Sequence, residues 1–117
     1  MSARSDRMGT RLAGEVRVPA EHADIVSEGI ALGTVQVPAE GDPIVVMADH
    51  QTTGGYAKAG TVASVDLPRL AQCRPGDRVR FERVTVEYAQ QLARQEASFL
   101  AGLRASVGTA ARRAAGR

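Results

Sequence analysis

Residues 30–48 read IALGTVQVPAEGDPIVVMA, two apolar runs on either side of a polar turn. In the first run, residues 30–37, β-branched side chains are mixed with small and polar ones; the second, residues 43–48 (PIVVMA), is continuously apolar. Val and Ile suit a pleated surface because branching at Cβ restricts χ1. A short, unbroken apolar run is the pattern of a strand covered on both faces. Between the runs, residues 38–42 (PAEGD) combine a proline, a glycine and two acids, the composition of a turn. Two strands this close in sequence form a hairpin. Gly33, inside the first run, marks a bulge or a close backbone approach.

The flanking segments extend this hairpin. Upstream, residues 1–7 are polar and expected to be loose. Residues 10–18 (TRLAGEVRV) read as a strand interrupted by Gly14, and residues 21–27 (EHADIVS) are ambiguous between helix and strand. Downstream, residues 49–56 (DHQTTGGY) break the apolar pattern and residues 61–65 read as a short strand. Asp66 is placed to cap a short helix over 67–72 with its carboxylate. Arg74-Pro75-Gly76-Asp77 has the composition of a type II turn, with Pro second and Gly third. Residues 79–83 alternate as a half-buried strand does. Thr85 is placed to cap a helix over 86–107, with Tyr88, Leu92, Phe99, Leu103 and Val107 at helical spacing and Leu100 widening the stripe. Residues 108–117, rich in Arg and Ala, are expected to be disordered. The expectation is a mainly β fold of roughly five strands, with a short helix and a C-terminal helix. Five strands leave two open edges, which favours an incomplete barrel or an assembly.

Composition narrows the classes. The 117 residues contain two Tyr, two Phe and no Trp, so the core is built from Val, Leu, Ile and Ala. The single cysteine, Cys73, has no partner for an internal disulfide and is read as a small buried hydrophobe in a reducing, cytoplasmic setting. No apolar segment approaches the length of a membrane span, and the N-terminus has no signal-peptide pattern. The formal charge of +2 divides unevenly: residues 94–117 hold five Arg and one Glu, leaving −2 for residues 1–93. The basic end reads as a helix face; without aromatic stacking platforms, the pattern argues against nucleic-acid binding.

Chemistry concentrates in residues 49–56. His50 is the candidate general base and Asp49 a candidate acid partner. Adjacent on a strand, the two point to opposite faces and make no dyad. Gln51, Thr52, Thr53 and Tyr56 offer polar contacts, and Gly54-Gly55 is suited to a backbone nest for an anion. The other reading is a glycine-rich turn bonded to its own backbone. His22 is read as a surface side chain, and Asp6–Gly9 as a local turn with an ion pair. Two His and one Cys argue against a zinc site, and there is no phosphate-loop or nucleophile-elbow motif.

These residues also resemble a known family. Ser5-Asp6-Arg7-Met8-Gly9 with Arg11-Leu12 resembles its SDRMGxRL segment, and residues 33–38 (GTVQVP) resemble its GxxQxP strand. Asp49 with residues 51–56 resembles DxQTTGGY. Asp66-Leu67-Pro68 with residues 70–77 (LAQCRPGD) resembles ADLPxLAQLRPGD. The family comprises the KipA-like proteins, also called allophanate hydrolase subunit 2 or 5-oxoprolinase subunit-C proteins, the biotin-dependent carboxyltransferase A/B subdomains. The resemblance covers residues 5–94. It implies a partial cyclophilin-like β-barrel over residues 1–85, followed by the helix at 86–107 and the tail at 108–117. It further implies a non-autonomous part of an ATP-dependent 5-oxoprolinase, or of a urea-amidolyase-type carboxyltransferase. The alternative is a non-catalytic regulator that binds a KipI-like kinase inhibitor. The implied partners are a subunit-B (KipI-like) homologue, a large 5-oxoprolinase or biotin-carboxylase-type subunit, and an N-terminal half-domain. By the same resemblance ATP belongs to a partner subunit and biotin to the carboxyltransferase members, with no cofactor held by a motif of this chain. Residues 51–56 would line the site. Departures are the absence of the family's N-terminal motifs, Cys73 in place of an aliphatic residue, Ala57 where Pro often follows the Tyr, and His50 at a variable position.

Overall fold

The computed structural model describes residues 1–14 and 24–116. Contacts divide it into two units, Met1–Glu82 and Arg83–Arg117. The first unit holds five strands: β1 (Gly9–Arg11), β2 (Asp24–Gly29), β3 (Thr34–Val37), β4 (Ile44–Val46) and β5 (Thr53–Thr61). They form one sheet in the order β1-β4-β3-β5-β2, with every pair antiparallel. The order is linear, so among the described residues β1 and β2 are the edges of an open, partly barrel-like sheet. The mainly β reading of an unclosed sheet holds.

The hairpin predicted from residues 30–48 is β3–β4, registered Val35↔Val45 and Gln36↔Ile44. Its turn closes with Gly41 N–H donating to the Pro38 carbonyl at 2.9 Å, with Gly41 at φ +90°. Val45 and Val46 are 0% and 2% exposed although adjacent in sequence, so β4 is covered on both faces as its unbroken apolar run requires. β3 is shorter than the apolar run preceding it. The chain turns over Ala31–Thr34, with Thr34 N–H and its hydroxyl both donating to the Ala31 carbonyl, at 3.1 and 2.7 Å. Gly33 sits at φ +85° within that turn, and a Cβ there would lie 3.1 Å from the Val62 carbonyl oxygen. The close approach expected at Gly33 is therefore present.

β5 pairs with two neighbours. Its later half pairs with β3, from Val37↔Ala57 to Thr34↔Thr61, with Ala59 bulged between Gln36↔Lys58 and Val35↔Gly60. Its earlier half pairs with β2, from Gly29↔Thr53 to Asp24↔Tyr56. Gln36 stands beside Lys58, yet a Cβ on Gly54 would lie 2.6 Å from the Gln36 side-chain nitrogen. Four residues of straight strand span about 13 Å, more than an amide side chain bridges. β5 therefore bends and carries β2 over the face of β3, which curls the sheet.

Leu12, Val45, Met47 and Leu70 form one buried cluster, with Val35, Val62, Leu67, Cys73 and Val79 packed around it, and Val37, Val46 and Ala57 are buried as well. Cys73 is half-buried against this cluster, consistent with its packing role. Leu70 comes from α1 (Leu67–Ala71), entered through a 3₁₀ turn over Ser64–Asp66. Thr61 ends β5, so the separate strand expected at 61–65 is absent. Asp66 holds the N-cap position but makes no capping bond; its carboxylate lies 4.0 Å from Arg69, one turn on. The type II turn is present: Gly76 is at φ +94° and Asp77 N–H donates to the Arg74 carbonyl at 3.0 Å.

Three further expectations are corrected. Among the described residues the strand read over 10–18 runs Gly9–Arg11 and does not continue over 12–14; residues 15–18 and His22 lie outside the described residues. Residues 79–83 alternate but form no strand, because alternation supplies an apolar face and not a backbone partner. Residues 108–117 are not a disordered tail as far as described: the second unit is a 30-residue helix, α2 (Val86–Ala115), running through Gly108. Nine of its residues are Ala, the strongest helix former, which outweighs the cost of about 1 kcal/mol for an interior Gly. Thr85 caps it as expected, its hydroxyl accepting from Tyr88 N–H at 3.1 Å. No helix among the described residues is long and apolar enough to cross a membrane.

Candidate functional site

The two most distinctive stretches of sequence meet at one end of the sheet. Residues 6–9 form a tight turn: the Asp6 carboxylate accepts from Met8 N–H at 2.9 Å and from Gly9 N–H at 3.1 Å. That turn presents the Met8 and Arg7 carbonyls to the chain leaving β4. Met47 N–H donates to Met8 at 3.0 Å and Asp49 N–H to Arg7 at 3.1 Å. The β1–β4 ladder thus continues past both strands and holds Asp49 beside Arg7. Arg7 Nε lies 3.4 Å from the Asp49 carboxylate, so the ion pair expected within residues 6–9 is formed instead with Asp49. Both side chains are exposed, and such a pair contributes about 0–1 kcal/mol. Its main effect is to set where the carboxylate points.

His50 follows, half-buried, its N–H donating to the Met47 carbonyl at 3.1 Å. Its Nδ1 lies 2.5 Å from the Gln51 carbonyl oxygen. A carbonyl only accepts, so Nδ1 is the donor in this contact, and in the neutral ring the lone pair then lies on Nε2. Asp49 is committed to Arg7 and the His50 ring to its own chain, so the two form no dyad. Thr52 then accepts from Ile30 N–H at 3.1 Å, and Thr53 enters β5 opposite Gly29.

The Gly54-Gly55 pair differs from both readings of the sequence. It lies in the extended strand β5, and neither glycine has positive φ. No anion nest forms, because a nest needs an alternation of backbone handedness that a strand lacks. Gly54 is required for another reason. The Gln36 side chain lies over it, and Gln36 is only 7% exposed.

Tyr56 serves a different place. It is 43% exposed and lines a shallow cleft of about 190 Å³ with Arg4, Arg11, Pro38, Glu40, Asp42 and Ile44. Asp49 and His50 do not line this cleft. Residues 49–56 are therefore divided between the Arg7–Asp49 turn, the strand start over Gln36, and the Tyr56 cleft. Within the cleft Arg4 approaches Asp42 at 3.7 Å. Ser5 secures Arg11: its hydroxyl accepts from Arg11 N–H at 2.9 Å and donates to the Arg11 carbonyl at 3.2 Å. Ser2 N–H adds a second donor to that carbonyl at 2.8 Å. These bonds also cover the outer edge of β1, which would otherwise be open to pairing. Of the charged members of this cleft only Arg11 lies in a stretch that the sequence singles out by family resemblance. Gln36 carries a signal of its own, as an amide inside an apolar strand.

The first unit is an open antiparallel sheet with a polar turn held on an N-terminal segment, and comparison with known proteins gives its class. Residues 1–83 match the family model of the carboxyltransferase domain, subdomain A and B. The chain belongs to this family. It is similar to the 5-oxoprolinase subunit-C protein of Haemophilus influenzae, 41% identical over 104 residues, covering 89% of this chain and 34% of that protein. It is 40% identical over 96 residues to the 5-oxoprolinase subunit-C protein of Escherichia coli, covering 82% of this chain and 31% of that protein. The chain thus spans about a third of the length of these relatives. A crystal structure of TTHA0988 superposes with a TM-score of 0.56 at 47% identity, covering 64% of this chain and 15% of that one.

Proposed function

We propose that this chain is part of the subunit-C component of an ATP-dependent 5-oxoprolinase, acting in the cytoplasm with a subunit-B homologue and a large subunit. The observation that carries this reading is 41% identity to a protein of that name across 89% of the chain. The chain supplies substrate contacts rather than a complete catalytic set. Gln51, Thr52 and Thr53 are the candidate polar contacts beside His50, Tyr56 is a separate one in its own cleft, and Gly54 lets β5 run close to Gln36. His50, with Nε2 free, is the group that would take a proton from an attacking water as the lactam opens. Asp49 acts through its pairing with Arg7, which positions the turn. Because the chain spans about a third of its relatives, the activity is assigned to an assembly that contains the other two thirds of that length.

The test is reconstitution. The chain is combined with the preceding portion of the H. influenzae relative and with the two partner subunits. The measurement is ATP-dependent conversion of 5-oxoproline to glutamate, with urea carboxylation assayed in parallel. Conversion of 5-oxoproline that falls roughly tenfold or more with Tyr56→Ala or Gln51→Ala supports the proposal. Activity on urea alone, or none where the intact relative is active, refutes it.

A further inference from the structure

The second unit carries a face that the proposed activity does not use. Over α2, Tyr88, Leu92, Phe99, Leu100, Leu103 and Val107 fall within an arc of about 120° at about 100° per residue. No residue of the helix is buried. Positions 88, 92, 96, 99, 103, 107, 110 and 114 step by four, four and three, an 11-residue repeat. At about 3.67 residues per turn such a stripe runs nearly along the helix axis, as a long straight contact requires.

We propose that α2 pairs antiparallel with α2 of a second copy of this chain. Two observations choose this occupant. The stripe tapers: Tyr88, Leu92 and Phe99 stand toward its start, while Ala110 and Ala114 close it. Antiparallel pairing sets the bulky end of one helix against the small end of the other at both ends, keeping the axes evenly spaced. Parallel pairing would oppose Tyr88 to Tyr88 and leave a gap at Ala110 and Ala114. Charge agrees with the taper. Residues 86–100 carry Glu87, Arg94 and Glu96, net −1, whereas residues 101–115 carry Arg104, Arg112 and Arg113, net +3. Antiparallel helices place opposite signs together; parallel ones stack +3 on +3. Glu96 is the one charged position within the stripe, and a register centred on Leu100 sets it level with Arg104 of the second copy. In that register Leu92 meets Val107 and Ala110, and Tyr88 lies over Ala110 and Ala114.

Sedimentation equilibrium of the full chain tests this, independently of any activity. The expected mass is twice the 12.3 kDa of one chain. Leu103→Glu is expected to weaken pairing on the order of a hundredfold, because a two-fold interface counts each substitution twice. Glu96→Arg and Arg104→Glu each weaken it, and the double variant restores it. In a Cys73→Ser background, Leu100→Cys forms an interchain disulfide, whereas Ala89→Cys, which meets itself only in a parallel pair, does not. A chain that stays monomeric up to about 0.1 mM overturns the proposal. So does a dimer indifferent to Leu103→Glu, and so does preferential cross-linking through Ala89→Cys. Circular dichroism distinguishes loss of pairing from loss of the helix.

Discussion

Gly54→Ala tests the bend in β5, and through it the curl of the sheet. The added Cβ would stand 2.6 Å from the Gln36 side-chain nitrogen and 3.5 Å from Ile30 Cδ1. Relief at ordinary contact distance needs a shift of roughly 1 Å. A free glutamine would swing aside at little cost, but Gln36 is 7% exposed and has little room. Its amide is packed in, and overpacking of this kind costs about 1–3 kcal/mol. The expected destabilisation is about 1–3 kcal/mol, a fall in melting temperature of about 4–8 °C per kcal/mol for a unit this size. Urea denaturation of the chain gives the free energy, and a double-mutant cycle with Gln36→Ala isolates the cause. With the amide gone, the added methyl group has room, so Gly54→Ala in the Gln36→Ala background is expected to cost under about 0.5 kcal/mol. Additive losses from the two substitutions, or a Gly54→Ala variant as stable as the parent, would refute the idea that β5 folds back over Gln36.

Leu70→Ala removes the one buried side chain of α1 from the core beside Leu12, Val45 and Met47, and is expected to cost about 2–5 kcal/mol by chemical denaturation. Gly33→Ala places a side chain at φ +85° with its Cβ 3.1 Å from a backbone oxygen; a loss of at least about 1 kcal/mol is expected, and a neutral result would mean that the Ala31–Thr34 turn is not required. Arg7→Ala breaks an exposed ion pair and is expected to cost under about 1 kcal/mol in stability while lowering the reconstituted activity, a split read by running melts and turnover on one preparation. Thr85→Ala removes the cap of α2 and is expected to cost about 1 kcal/mol, seen as lower helicity by circular dichroism.

How much of this is legible in the sequence depends on where each residue's determinant lies. The β3–β4 hairpin, the Arg74–Asp77 turn and the Thr85 cap are each decided within a few residues, by apolar runs around a turn, by Pro then Gly, and by a hydroxyl before a helix. Each is legible for that reason. The strand expected at 79–83 fails because alternation describes one face while a strand also needs a neighbour. Residues 49–56 show the same division inside the candidate site. That Asp49 and His50 form no dyad is expected from the sequence on the premise of a strand; the structure places Asp49 in a turn, and it is the Arg7 pair and the Gln51 carbonyl that keep the two side chains apart. That Asp49 pairs with Arg7 depends on a ladder joining residues 42 apart in sequence, which no local pattern records. Gly54 and Gly55 mislead for a related reason. Glycine is needed either where φ is positive or where another group comes too close for a Cβ, and composition does not separate the two. Positive φ arises at Gly33, Gly41 and Gly76, all in turns, whereas Gly54 answers to a glutamine 18 positions earlier. A glycine pair next to a polar segment invites the turn reading. The buried amide of Gln36, out of place in an apolar strand, is the local sign that some other backbone has to come close to it.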